Sequence, residues 1–311
     1  MRRRTQAISI SGQSLFVLFQ NRKDDIAGKM SELTLVFFLV ATLKVIESKN
    51  LDMAPNTVDD QYEKCRDEMF QVVKGGLLNR ELNTSELSSD WQQETCKMVM
   101  PGGEEMHTKA LAIYGHNKRF RVDFTKAVET LGGNANVYNK DFQFKSFHFL
   151  LMDSFQVLKP TKCQTLFHGS ETVYTAGVGS EVRFGSFVSA DEKLSSVVEE
   201  SKTVFNITTC LAIDLYNSAC QPSDVGSWLL SPAEVFQVKE VKNHSDDDYS
   251  YIEIVLGSLR NESNHDCQYN FPRPPATTTV PSSTPQWLTS KAFHLMALSL
   301  SAFLSIASYQ D

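Results

Sequence analysis

Around residue 160 the hydrophobic period of this chain changes, and that change sets narrow limits on its fold. Upstream, Phe144, Phe147, Leu150, Leu151, Phe155 and Leu158 recur at three- and four-residue spacings, one face of a helix that Pro160 ends. Residues 123–131, stopped by Gly132 and Gly133, and residues 59–73 and 104–114 read as further helices. Downstream, residues 164–167, 182–184, 187–189, 204–210, 228–230, 234–241 and 249–256 are short β-type runs. Gly, Ser, Asn and Asp separate them, as strand-bounding residues do. Helices followed by strands, without alternation, predict an α+β fold.

The two ends read as addresses. Residues 33–43 are apolar and uncharged, too short to span a bilayer comfortably but long enough for a signal-peptide core. Met30 is the natural start of such a signal, and Ile46-Glu47-Ser48 suits cleavage, so residues 1–48 are expected to be an upstream leader and signal. Residues 272–291 carry Pro and Thr at a density that cannot bury a core, which reads as a stalk open to O-glycosylation. Residues 292–311 form an apolar tail. Small residues, a polar spacer and a terminal apolar tail match a GPI-attachment signal. A spanning helix is the alternative, although only Ser308-Tyr-Gln-Asp311 follows, without the usual basic flank.

Removing both ends from the 311 residues leaves 49–271, the size of one domain. Both addresses imply an oxidising compartment, where six cysteines are expected to pair. The sequons at Asn83, Asn206, Asn243 and Asn261 agree with that location. A net charge of -7 argues against a nucleic-acid partner, which needs a basic face. There is no His-Glu-X-X-His, Cys-X-X-Cys or Gly-X-Ser-X-Gly, so common zinc and serine-hydrolase chemistries lack support and no metal is expected. His148, among helical aromatics, reads as a satisfied core histidine, and Asp246-Asp247-Asp248 as a solvated loop.

Several strings, in order, carry a resemblance. They are Val58-Asp-Asp-Gln-Tyr-Glu-Lys-Cys65, Ala112-Ile-Tyr-Gly115, Phe124-Thr-Lys-Ala-Val128 and Phe142-Gln-Phe-Lys-Ser-Phe-His-Phe149. Next come Cys163-Gln-Thr-Leu-Phe-His-Gly169, Val182-Arg-Phe-Gly-Ser-Phe-Val-Ser189, Thr208-Thr-Cys-Leu211 and Leu229-Leu-Ser-Pro-Ala-Glu-Val-Phe-Gln-Val238. Together they resemble the vertebrate ecto-ADP-ribosyltransferases, the arginine-specific mono-ADP-ribosyltransferases, across about 55–268. The resemblance implies an N-terminal helical subdomain over 55–160, packed on a split β-core over 161–268 that clasps NAD. It also implies the disulfides Cys65–Cys267 and Cys163–Cys210. Cys96 and Cys220 are left over, as a third bond or as two thiols.

The implied reaction breaks the nicotinamide–ribose bond of NAD, a substrate here, through an oxocarbenium-like transition state comparable to that of glycoside hydrolysis. The family's arginine grips the dinucleotide phosphates, its serine orders the site, and a Glu-X-Glu pair orients the acceptor arginine and stabilises the cation. The matched positions here are His168 for the arginine, Gly169 beside it, and Ser189 for the serine. Val225 stands for the acceptor-orienting glutamate and Ser227 for the catalytic one. Serine carries no charge, and losing a preorganised contact of this kind costs about 3 kcal/mol or more. His168 resembles instead the diphtheria-toxin-like branch. Asp224, by a register shift, or Glu234 are the acids near enough in sequence to substitute.

The implied function is transfer of ADP-ribose from NAD to arginines of extracellular proteins. An inactive surface-binding glycoprotein or a weak NAD glycohydrolase are the alternatives. The expected setting is a monomer on the outer face of the plasma membrane, held by GPI or by the C-terminal segment, or secreted.

Overall fold

The computed structural model describes residues 48–83, 87–94, 96–160, 162–219 and 226–271. The signal segment, the stalk, the apolar tail, Cys220, Asp224 and Val225 lie outside these residues. Residues up to Tyr269 form one compact unit, and those from Asn270 another, of which Asn270 and Phe271 are described. Among the described residues no helix is long and apolar enough to cross a membrane.

A short strand, β1 (Ser48–Asn50), opens the unit, pairing in parallel with β3 (Val173–Thr175). Ser48, placed with the leader by its sequence, is therefore the first residue of this ladder. Helices follow: α1 (Arg66–Val72), α2 (Leu78–Asn83), α3 (Leu87–Gln93), α4 (Glu105–His116), α5 (Lys118–Thr130), α6 (Ala135–Asp141) and α7 (Lys145–Leu158). A π-helical turn at Val73–Leu77, with Gly76 at φ 126, joins α1 to α2. Side-chain oxygens start two of these helices, Asn117 accepting from the Phe120 amide and Asn134 from that of Val137. Lys159 leaves α7 in a left-handed conformation just before Pro160, which cannot continue a helix.

The sequence expects one buried face on α7. Instead all residues from Lys145 to Ser154 are buried, so α7 is the centre of the helical layer. Its aromatics pack edge-on against α5, with Phe147 4.4 Å from Phe120 between ring centroids and 5.4 Å from Phe124. His148 is buried with both nitrogens bonded. Nε2 donates to the Val58 carbonyl at 2.8 Å, so Nδ1 must accept the Tyr62 hydroxyl proton at 2.9 Å. Burial holds its pKa down at about 3, so it is a neutral core histidine.

The helix expected over 59–73 begins only at Arg66. Asp59 and Asp60 are consumed elsewhere. Asp59 accepts the Arg183 guanidinium at 2.7 Å and the backbone amides of Asn264 and His265. Asp60 accepts those of Tyr62, Cys267 and Gln268. Side-chain bonds of this kind compete with helical hydrogen bonding and hold the segment in turns. They also clamp the first residues of the domain to its last, beside the Cys65–Cys267 disulfide. Asp60, Asp266 and Cys267 lie close enough to suggest a metal cluster, but the Cys267 sulfur is in that bond and Asp60 is bonded to three amides.

The strands form two further sheets. The larger has the order β2 (Gln164–Ser170), β6 (Thr203–Thr209), β10 (Ser250–Asn261), β9 (Glu234–Ser245), β4 (Glu181–Val182). All its pairs are antiparallel except β6 with β10. The smaller is β5 (Val188–Ala190), β8 (Trp228–Leu230), β7 (Ile213–Asp214), followed by a short helix, α8 (Leu215–Ser218). Leu166, Phe205, Ile207, Phe236 and Ile254 from the larger sheet pack with Val188, Ala190 and Leu230 from the smaller in one apolar core. The second disulfide, Cys163–Cys210, closes the ends of the paired strands β2 and β6. Cys96 is also disulfide-bonded.

Candidate active site

Among the described residues, one isolated backbone bridge joins the two sheets. Phe167 donates to the Asp191 carbonyl at 2.7 Å, and Asp191 returns the bond at 2.8 Å. His168, Ser189 and Asp191 meet at this junction because β2 and the end of β5 run past each other there.

His168 stacks on Phe205 and meets Phe184 edge-on. Its Nδ1 lies 2.8 Å from the Ser189 carbonyl, so Nδ1 carries the proton and donates. Nε2 makes no hydrogen bond to a described residue. Desolvation lowers the pKa of the half-buried ring, outweighing the carbonyl bond that favours the protonated form. At neutral pH the position that the resemblance matches to an arginine therefore holds an uncharged imidazole, tied to the neighbouring strand.

Gly169 is required sterically. A Cβ there would stand 2.2 Å from the Ser201 hydroxyl oxygen and 2.4 Å from the Val197 carbonyl oxygen. The segment leading into β6 is what excludes a side chain here. Gly226 behaves similarly, at φ 122 with its α-carbon against the Ala190 backbone. Ser227 follows, exposed, its carbonyl accepting the Leu215 amide at 2.8 Å. Ser189 is half-buried in β5, opposite Leu229.

The structure thus brings together His168, Gly169, Ser189 and the β8 entry where Ser227 stands. Val225 and Asp224 lie outside the described residues. Glu234 is no substitute acid. It is fully buried and accepts the hydroxyls of Thr209 and Ser258, both at 2.6 Å, and the Cys210 amide. Burial raises its pKa despite those bonds, and it serves to lock β9 to β6 and β10.

Three neighbours of the junction escaped sequence reasoning. Phe184 and Phe205 form the aromatic wall of His168. Asp191 follows Ser189 at the two-residue spacing that keeps side chains on one face of a strand, which was the available signal. Of the sequons, Asn83, Asn243 and Asn261 are exposed and Asn206 is half-buried. The Asn206 amide donates to Glu253 and that of Asn261 to Gln61.

The family model described as NAD:arginine ADP-ribosyltransferase matches residues 51–264. Mouse (Mus musculus) ecto-ADP-ribosyltransferase 4 is 29% identical over 73% of this chain and 78% of its own length. The rat (Rattus norvegicus) T-cell ecto-ADP-ribosyltransferase 1 is 32% identical over 71% and 80%. The rabbit (Oryctolagus cuniculus) GPI-linked NAD(P)(+)--arginine ADP-ribosyltransferase 1 is 31% identical over 70% and 74%. The crystal structure of the mono-ADP-ribosyltransferase ART2.2 superposes with a TM-score of 0.59 at 28% identity, covering 71% of this chain and 99% of that one. A variant of ART2.2 crystallised in complex with NAD gives 0.58 at 27%.

Proposed function

The chain belongs to the NAD:arginine ADP-ribosyltransferase family, and from that premise we propose that it binds NAD at the junction of its two sheets while transferring ADP-ribose to arginine far more slowly than a complete site would. Ser227 carries this reading. It occupies the position matched to the catalytic glutamate, at the solvent-exposed entry to β8, and it has no charge to set against a ribosyl cation. Removing one preorganised electrostatic contact typically lowers a rate by about 100- to 1,000-fold. The neutral His168 removes a second fixed charge, one suited to gripping phosphates. Val225, matched to the acceptor-orienting glutamate, cannot hold a guanidinium, so water competes better with arginine as acceptor.

The setting follows the relatives. Several are named as ecto-enzymes and two as GPI-linked. With the apolar ends and the disulfides, this supports an extracellular, GPI-anchored glycoprotein acting on NAD, with arginines of surface proteins as its residual acceptors and no metal requirement.

The test is incubation of the full chain, expressed through a secretory host, with labelled NAD and a small guanidino acceptor. NAD binding with transfer near background is expected. Transfer at the rate of the GPI-linked relative, measured alongside, refutes the proposal. His168→Arg, Val225→Glu and Ser227→Glu introduced together should raise transfer at least tenfold. No gain would show that the three positions are wrongly matched.

A further inference from the structure

Cleavage of NAD needs a negative charge facing the ribose, and the strand register indicates where this chain keeps one. β5 and β8 run antiparallel with Val188 opposite Leu230, Ser189 opposite Leu229 and Ala190 opposite Trp228. One step further along β5 is Asp191, and one step back along β8 is Ser227. The last pair of the ladder is Ala190 with Trp228, so these two positions are the next ones beyond its end. Just beyond the ladder, Asp191 exchanges reciprocal backbone bonds with Phe167 of the larger sheet, and the Ser227 carbonyl accepts the Leu215 amide.

Side chains alternate along a strand, and directly opposed residues share a face. Ser189, Asp191 and Ser227 consequently lie on one face of the small sheet. Glu192, the next acid, falls on the other, where its carboxylate accepts the Trp228 indole N–H at 3.1 Å. Asp191 is half-buried, and its carboxylate makes no hydrogen bond or ion pair with a described residue. An acid partly withdrawn from water without a partner is a costly structural choice. It is an economical one if the partner is a ligand's developing positive charge.

We propose that Asp191 is the working carboxylate of this site, facing the nicotinamide ribose in place of the glutamate that Ser227 replaces, and that the resulting activity is hydrolysis of NAD. The proposal rests on the NAD-binding reading above. The C1′–N bond breaks with its electron pair leaving on nicotinamide, which departs neutral, and C1′ becomes an oxocarbenium cation beside the Asp191 carboxylate. A water oxygen adds to C1′ and releases a proton to solvent, giving ADP-ribose. Asp191 stays ionised throughout and transfers no proton.

The test compares the full chain with Asp191→Asn, nearly isosteric and sparing the backbone bridge, and with Glu192→Gln. NAD affinity is measured by calorimetry, nicotinamide release by chromatography, and folding by thermal midpoint. Expected for Asp191→Asn is a fall of tenfold or more in kcat, with NAD affinity within threefold and an unchanged midpoint. Glu192→Gln should release nicotinamide at the wild-type rate. Undiminished release by Asp191→Asn overturns the proposal. So does a wild type that binds NAD and releases no nicotinamide, an outcome that leaves the NAD-binding reading standing. A wild type that does not bind NAD at all overturns both.

Discussion

Replacing Cys65 and Cys267 together by alanine should cost this domain about 5 kcal/mol, and the structure explains why the loss falls on the unfolded state. The bridge spans 202 residues. In the loop-entropy model a closed loop of that length restricts the unfolded chain by about 5.3 kcal/mol at 25 °C. The Cys163–Cys210 bridge, spanning 47, is worth about 4 kcal/mol in the same model. Nesting the Cys163–Cys210 loop inside the longer one reduces the larger figure by about 0.2 kcal/mol, and the bridge at Cys96 reduces it further, to about 4.5–5 kcal/mol. The native contacts survive the substitution, because Asp60 holds the Cys267 and Gln268 amides at 2.8 and 2.7 Å through backbone groups that the sulfurs do not touch. Equilibrium unfolding in guanidinium is the assay. The double variant should unfold at lower denaturant with a larger m-value, since the freed chain exposes more surface. It should also lose about 0.5 kcal/mol more than the Cys163/Cys210 double variant. A loss below about 2 kcal/mol, or the reverse order of the two pairs, would refute the reasoning.

Three further outcomes are expected. Arg183→Met leaves Asp59 buried beside apolar surface with its guanidinium partner gone, and should cost about 3–5 kcal/mol by denaturant unfolding. Adding Asp59→Asn should recover part of that loss, and no recovery would argue against the buried charge as its cause. Glu81 caps α7 by accepting the Lys145 and Ser146 amides, yet burial raises its pKa from 4.5 to about 7. A carboxyl whose pKa is raised on folding lends stability that is complete below the unfolded value and fades as pH rises through the folded one. Stability should thus fall between pH 4.5 and 7, and Glu81→Gln should flatten that slope; an unchanged slope counts against the assignment. Gly169→Ala places a methyl against the Val197 carbonyl and should cost about 1–3 kcal/mol in thermal or chemical unfolding, whereas a neutral result would mean that the strand gives way freely.

Much of the fold was legible because local patterns and tertiary demands agree. Trp228–Leu230 stands where its apolar run predicted it, and α7 ends where Pro160 requires. The misreadings share one cause. Residues 59–65 have helical composition, but Asp59 and Asp60 bind groups some 200 positions away, and no local pattern encodes that pull. α7 shows an amphipathic stripe, yet its polar positions Ser146, His148, Asp153 and Ser154 are buried as well, and other segments supply the partners of His148 and Asp153.

The candidate site divides in the same way. Residue identity alone establishes that Ser227 and Val225 carry no charge, since no fold can ionise a serine hydroxyl or a valine at neutral pH. Identity also makes His168 something other than a permanent cation. That His168 is neutral, with its Nδ1 proton held by the Ser189 carbonyl, comes from the meeting of two sheets whose strands lie about twenty residues apart. That Glu234 is spent while Asp191 is not comes from the same source. A carboxylate's role depends on which donors surround it and on how much water remains, and both are set by segments that become neighbours only once the chain has folded.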